Sequence, residues 1–194
     1  VARRAAKPVI VGLRGPWFMN GAALRAGPLT EADSFRIARE GRGLAAAAGV
    51  TAPSRYVLGG GRAHYGLALP DAVVIRNPVR PAPPERRWRA DTADADEILF
   101  IGRFDRHKGA DIMLDAFAKL AEARPSLKLT VAGPAERPIE IDGASYTPET
   151  YLRAFIKPEV ARRVTFLGHV PLDGLSALRA RAFVTVVPSR FENL

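Results

Sequence analysis

Two cations set between two glycines are the residues of this chain best suited to chemistry. In the run Ile98-Leu99-Phe100-Ile101-Gly102-Arg103-Phe104-Asp105-Arg106-His107-Lys108-Gly109, the glycines Gly102 and Gly109 bracket Arg103 and Lys108. A planar guanidinium grips a phosphate through two parallel hydrogen bonds, and an ammonium acts as a movable point charge. A helix starting after Gly109 adds partial positive charge at its N-terminus. Together these groups suit a diphosphate. The spacing is not that of a P-loop, because Gly109 rather than Ser or Thr follows Lys108. Taken alone, the loop reads equally well as solvated basic surface. Lys is scarce, 5 against 24 Arg, which gives Lys108 added weight. Arg106 and His107 read as surface.

The elements around this loop position it. Ile98 to Ile101 are too few for a helix and rich in branched and aromatic side chains, as in a strand buried on both faces of a parallel sheet. Ligands of open α/β sheets bind at the carboxyl ends of such strands. Ile112, Met113, Ala116, Phe117 and Leu120 recur at helical spacing, with Asp111 and Asp115 toward the N-terminal end and Arg124-Pro125 closing the helix. Beyond it come a strand from Leu127 to Ala132 ending at Gly133-Pro134, a small hairpin around Ile139 to Gly143, and a helix from Tyr151 to Arg163 broken or kinked at Pro158. A strand from Val164 to Leu167, a helix from Leu172 to Ala182 and a strand from Phe183 to Val187 follow. This stretch thus alternates strand and helix, as a right-handed parallel sheet requires.

The first half reads less regularly. Pro8 to Leu13 is a short buried strand with a turn at Gly15-Pro16, after which Trp17 and Phe18 read as packing residues. Thr30 and Asp33 form a capping box for a helix reaching toward Gly49. Val50 to Ala52 is a brief strand, and Ser54 caps a helix that Gly59-Gly60-Gly61 is expected to interrupt as a flexible or frayed loop. Asp71 to Ile75 is the next strand, ended by Asn77-Pro78. Residues 79–96, Pro-rich and then charged, read as a linker with at most one helical turn.

The run from Ile98 to Gly109, continued by Asp111-Ile112-Met113-Leu114-Asp115-Ala116-Phe117, resembles the start of the C-terminal domain of retaining glycosyltransferases of family 4. Four further stretches fall in that family's order: Leu129 to Pro134, Val164 to Val170, Val186 to Ser189, and Phe191-Glu192-Asn193-Leu194. The resemblance implies a GT-B fold of two Rossmann-like α/β domains with parallel sheets, both incomplete here. Residues 1–78 would be the C-terminal part of the acceptor domain, 79–96 the interdomain linker, and 97–194 the first half of the donor domain.

It further implies a nucleotide-diphosphate sugar as donor, with Arg103 and Lys108 holding the diphosphate and stabilising it as a leaving group, so that no metal and no cofactor is required. Gly102 would let the phosphates approach, Gly133 and Pro134 would border the donor cleft, and His169 and Val170 would lie beside the nucleobase. Glu192 corresponds to the first Glu of the family's Glu-x7-Glu motif and would orient the donor sugar. Its second Glu would fall beyond Leu194. Outside the resemblance, Glu192 and His169 read as ordinary exposed or packing residues. Arg14 stands where a His is common in the family, which leaves that position's part in placing the acceptor open.

The composition, 47% hydrophobic and 25% charged over 194 residues, is that of a globular protein. No apolar stretch is long enough for a membrane span, and Val1-Ala2-Arg3-Arg4 has no apolar segment of a signal peptide behind it. Without Cys there are no disulfides or thiolate metal sites, and three scattered His give no metal-ligand spacing.

The chain starts without Met and ends inside a motif, so a piece of a longer, cytoplasmic enzyme is expected, with little or no activity of its own. Residues 1–90 carry 15 Lys+Arg against 5 Asp+Glu, whereas residues 91–194 carry 14 against 15. The basic half leaves open an anionic or lipid-linked acceptor and peripheral contact with the inner membrane leaflet. A basic nucleic-acid-binding protein is the rival from another class, although no basic run is interleaved with aromatics. A non-catalytic nucleotide-binding module is the third reading.

Overall fold

The computed structural model describes residues 7–24, 28–79, 81–136 and 138–193. The expectations for Val1 to Arg4, Arg80 and Leu194 lie outside the described residues. The chain divides into two compact units, residues 1–80 with 191–194, and residues 81–190.

The first unit carries a parallel sheet of β1 (Ile10–Gly12), β2 (Gly49–Ala52) and β3 (Val73–Val74), paired in that order. Helix α1 (Trp17–Leu24) starts directly after Pro16, where no helix was expected. Polar contacts with the next helix, α2 (Glu31–Ala45), fix it there: Trp17 N–H donates to Glu40 Oε2 at 2.9 Å, and Trp17 Nε1 donates to Asp33 Oδ1 at 3.0 Å. Asp33, fully buried, also closes the capping box with Thr30, as its spacing predicted.

Helix α3 (Arg55–Tyr65) is capped by Ser54 and runs unbroken through Gly59-Gly60-Gly61, which overturns the expected loop. The reason is close packing. A β-carbon on Gly61 would stand 2.7 Å from Leu13 Cδ2, and one on Gly60 would collide with Met19 Cε. Bare backbone there lets α3 lie against the end of β1 and against α1. The core of this unit is Leu13, Leu44, Val50, Ala52, Val57 and Leu58.

The second unit begins with a 3₁₀ turn at Pro84–Arg86 and holds a four-stranded parallel sheet. Its strands are β4 (Asp94–Ile101), β5 (Lys128–Ala132), β8 (Val164–Gly168) and β9 (Ala182–Val186), in the order β8-β5-β4-β9. The central strand starts at Asp94, inside the expected linker, because Asp94 already pairs with Ala182 of β9. Of Ile98 to Ile101, expected to be covered on both faces, Ile98 to Phe100 are buried and Ile101 is partly so, and Glu97 is buried with them. Between the strands run α4 (Ala110–Ala123), α5 (Pro148–Phe155), α6 (Pro158–Ala161) and α7 (Leu172–Arg181). Pro158 opens α6, so the helix expected over this stretch is broken there, as its proline predicted.

The hairpin is present as β6 (Ile139–Ile141) and β7 (Ala144–Tyr146). Asp142 and Gly143 turn it at φ 49° and 80°, the left-handed pair that tight hairpins favour. Phe100, Phe104, Phe117, Leu114, Leu129 and Ile139 form the heart of the core. No helix among the described residues is long and apolar enough to cross a membrane.

Candidate functional site

Strand order decides where a ligand can enter the second unit. From β4 the chain crosses through α4 to β5 on one side, whereas α7 brings it back to β9 on the other side. The crossovers diverge at β4, and a crevice opens at the carboxyl ends of strands where this happens. The loop 102–109 lies there.

Three strand ends align through glycine. Gly102 N–H donates to Ala132 O at 3.0 Å, and Gly133 N–H donates to Gly168 O at 2.8 Å. A β-carbon on Gly133, at φ 155°, would collide with the Gly102 carbonyl, so this approach of loop to loop requires glycine. Phe104 N–H donates to Pro134 O at 2.9 Å, tying the loop after β4 to the loop after β5.

Arg103, Phe104, Asp105, Pro134 and Glu136 line a hollow of about 160 Å³ at these strand ends. Arg103 Nε stands 2.8 Å from Oδ2 of the buried Asp105, an ion pair that orients the half-exposed guanidinium from one edge. Among the described residues nothing else pairs with this guanidinium, so its Nη edge remains for a ligand oxyanion. Asp105 Oδ1 accepts from Lys108 N–H at 2.8 Å and so shapes the loop between the two cations. The Lys108 stem passes over Gly102: a β-carbon there would stand 3.3 Å from Lys108 Cβ.

Behind the cations lies a clasp that sequence reasoning missed. The two guanidinium nitrogens of Arg190 donate to the two Asp111 carboxylate oxygens at 2.8 and 2.7 Å, and Nη1 also reaches Arg106 O. Arg190 N–H donates to His107 O at 2.9 Å. Asp111 is 7% exposed and sits in the first turn of α4, and its carboxylate raises the Arg190 pKa above the usual range. Gly109, at φ 72°, begins α4 where a β-carbon would collide with the Pro188 carbonyl. The segment after β9 thus locks the loop after β4 from behind.

His107, read as surface, is 8% exposed, and Arg106 is only partly exposed and lies 3.8 Å from Asp111. Sequence could not show this, because the carbonyls of both are held by Arg190, more than eighty positions further along the chain. Asp105 and Asp111 carried a faint signal, being acids within a basic loop and at a helix start. Arg190 carried none.

Gly102, Arg103, Lys108, Gly133 and Pro134 therefore come together at the ends of β4 and β5. His169 and Val170 follow β8, one strand further along, with His169 exposed and Val170 packed against the cluster of Leu99, Ala132 and Ala182. Glu192 belongs to the first unit, whereas the loop cations belong to the second.

A family model described as glycosyl transferases group 1 matches residues 95–194, which include the whole loop and clasp. The chain is 31% identical over 133 residues to a glycogen synthase of Mycobacterium tuberculosis, covering 66% of this chain and 28% of that protein. The chain therefore spans less than a third of that relative's length.

Among solved structures, sucrose-phosphate synthase from Thermosynechococcus elongatus superposes with a TM-score of 0.69 at 20% identity, over 95% of this chain and 45% of that one. WaaG, a glycosyltransferase involved in lipopolysaccharide biosynthesis, gives 0.67 at 16% identity, over 99% and 56%. These likenesses show the GT-B glycosyltransferase fold, with its parallel Rossmann-like sheets. With more than half its length matched by the family model, the chain belongs to the glycosyl transferases group 1 family.

Proposed function

We propose that the protein to which this chain belongs transfers a sugar from a nucleotide-diphosphate donor to an acceptor, with retention of configuration, in the manner of family 4. The observation that carries this reading is the loop after β4. Arg103 is held by Asp105 with its Nη edge open, Lys108 lies over Gly102, and α4 begins immediately behind them. Oriented cations at this place stabilise the negative charge that builds on a departing diphosphate. Arg103, held by Asp105 before the ligand arrives, takes with Lys108 the part a divalent metal would otherwise play.

Pro134 forms part of the wall of the hollow, and His169 and Val170 present backbone groups to a nucleobase. Glu192 accepts from donor-sugar hydroxyls and orients the anomeric carbon. The enzyme works in the cytoplasm. The chain by itself is expected to give little or no transfer.

The test is calorimetric titration of this chain with UDP, GDP and ADP, beside Arg103→Ala and Lys108→Ala. Each substitution is expected to weaken diphosphate binding about tenfold or more, roughly 1.4 kcal/mol, whether or not EDTA is present. Unchanged affinity in both variants sinks the reading. In the full-length enzyme, Glu192→Ala should abolish transfer while leaving diphosphate binding in place, and NMR of the product should show the donor's anomeric configuration.

A further inference from the structure

We infer that Glu136 selects the donor nucleotide by accepting hydrogen bonds from the 2′- and 3′-hydroxyls of its pentose, so that a ribonucleotide is preferred to its 2′-deoxy counterpart. The inference rests on the diphosphate reading of the loop after β4 and gives a part to a lining residue that reading leaves unused.

The charges around the hollow have the wrong balance for a plain phosphate seat. Arg103, Asp105 and Glu136 line it together with Phe104 and Pro134. Arg103 is already offset by Asp105, whose Oδ2 stands 2.8 Å from its Nε. Glu136 therefore leaves the lining with one cation and two carboxylates, and a carboxylate beside an oxyanion is unfavourable unless it meets donors of its own. Glu136 is exposed, and among the described residues no side chain pairs with it. An ionised carboxylate only accepts, through two oxygens, which matches a pair of neighbouring hydroxyls.

Strand order puts the same residue where a pentose falls. In the order β8-β5-β4, the loop after β5 lies between the other two. Gly102 N–H on Ala132 O and Gly133 N–H on Gly168 O hold the three strand ends level, and Phe104 N–H on Pro134 O draws the loop after β5 onto the loop after β4. A nucleotide presents its parts in a matching sequence: base, pentose, phosphate. With the base beside His169 and Val170 and the diphosphate on Arg103 and Lys108, the pentose bridges the two strand spacings between them, about 10 Å, across Pro134 and Glu136. The hollow, about 160 Å³, is smaller than the pockets that enclose whole ligands and suits a single ring.

A divalent cation bridging Glu136 to the phosphates is the competing use of this carboxylate. Asp105 offers it no second ligand, since Oδ1 accepts from Lys108 N–H and Oδ2 pairs with Arg103. Among the described residues no three His, Asp or Glu side chains gather as a metal site. Hydroxyls are the better match.

The test is calorimetric titration of this chain with UDP, 2′-deoxy-UDP and inorganic pyrophosphate, each with EDTA and with Mg²⁺, beside Glu136→Ala and Arg103→Ala. The unaltered chain should bind UDP about tenfold or more tightly than 2′-deoxy-UDP, with or without Mg²⁺. Glu136→Ala should weaken UDP by about tenfold or more and abolish the preference. Pyrophosphate should bind that variant no more weakly than the unaltered chain, because a like charge has gone.

The inference is overturned if UDP and 2′-deoxy-UDP bind the unaltered chain equally, or if Glu136→Ala keeps the preference. Mg²⁺ that strengthens UDP binding in the unaltered chain and not in Glu136→Ala overturns it in favour of a metal seat. Pyrophosphate that does not bind, or that binds Arg103→Ala equally well, removes the diphosphate reading and the inference with it, whereas pyrophosphate binding without a ribose preference removes the part of Glu136 alone.

Discussion

Gly109 shows how much can hang on a missing β-carbon. Its φ of 72° and the Pro188 carbonyl lying against it both exclude a side chain. Gly109→Ala is therefore expected to cost about 3 kcal/mol, combining left-handed strain with displacement of backbone. Urea unfolding of the variant measures it, and a loss below 1 kcal/mol would contradict the close approach. Arg190 contributes in a different way. Removing it leaves Asp111 buried without its bidentate partner, so Arg190→Ala should lose about 2 kcal/mol of stability. Because the same guanidinium and its backbone N–H hold the carbonyls of Arg106 and His107, the variant should also weaken UDP binding several-fold without touching the ligand. Unaltered UDP affinity would leave the clasp with a purely structural part.

At the scale of elements, α3 separates two uses of glycine within one run. Gly59 faces open space, and Gly61 faces Leu13. Gly59→Ala should therefore stabilise the chain by up to about 1 kcal/mol, through helix propensity and a less flexible unfolded chain. Gly61→Ala should destabilise it. Opposite signs in thermal melts of the two variants are the expected outcome.

Helix α5 carries a pH-dependent element. Tyr151 is 2% exposed, and its phenol donates to Asp115 Oδ1 at 2.9 Å. Burial, and then the neighbouring carboxylate, push its pKa above the ordinary tyrosine value of 10.0. A raised folded-state pKa means that its contribution is complete below the unfolded value and is lost as pH rises toward the folded one. Stability should fall above about pH 10, and Tyr151→Phe should flatten that fall. Denaturant melts at pH 9 and pH 11 read the difference.

For the whole molecule, the excess charge and the loop after β4 lie in different halves. The excess of Lys and Arg lies in residues 1–90, whereas Arg103 and Lys108 sit in a half whose charges nearly balance. Association with single-stranded DNA through the basic half should collapse by orders of magnitude between 50 and 300 mM salt, since it rests on counterion release. UDP binding, through a few fixed contacts, should change no more than several-fold. A steep common salt dependence, without nucleotide preference, would favour the nucleic-acid rival.

What could be read from the residues in order was whatever rests on near neighbours. The strand and helix succession of the second unit, the capping box at Thr30, the cap at Ser54, the hairpin at Asp142-Gly143 and the cation pair on the loop after β4 are local, each set by periodicity, a cap or a turn. Tertiary structure alone decided the rest. Gly59 to Gly61 became helix because Leu13 and Met19 press on it, α1 formed because Asp33 and Glu40 hold Trp17, and the His107 carbonyl was taken by Arg190. The Arg190–Asp111 clasp joins positions 79 residues apart, and an Arg14–Asn77 hydrogen bond joins positions 63 apart. Spacing along a chain carries no information about partners brought together only when parallel strands set their loops side by side.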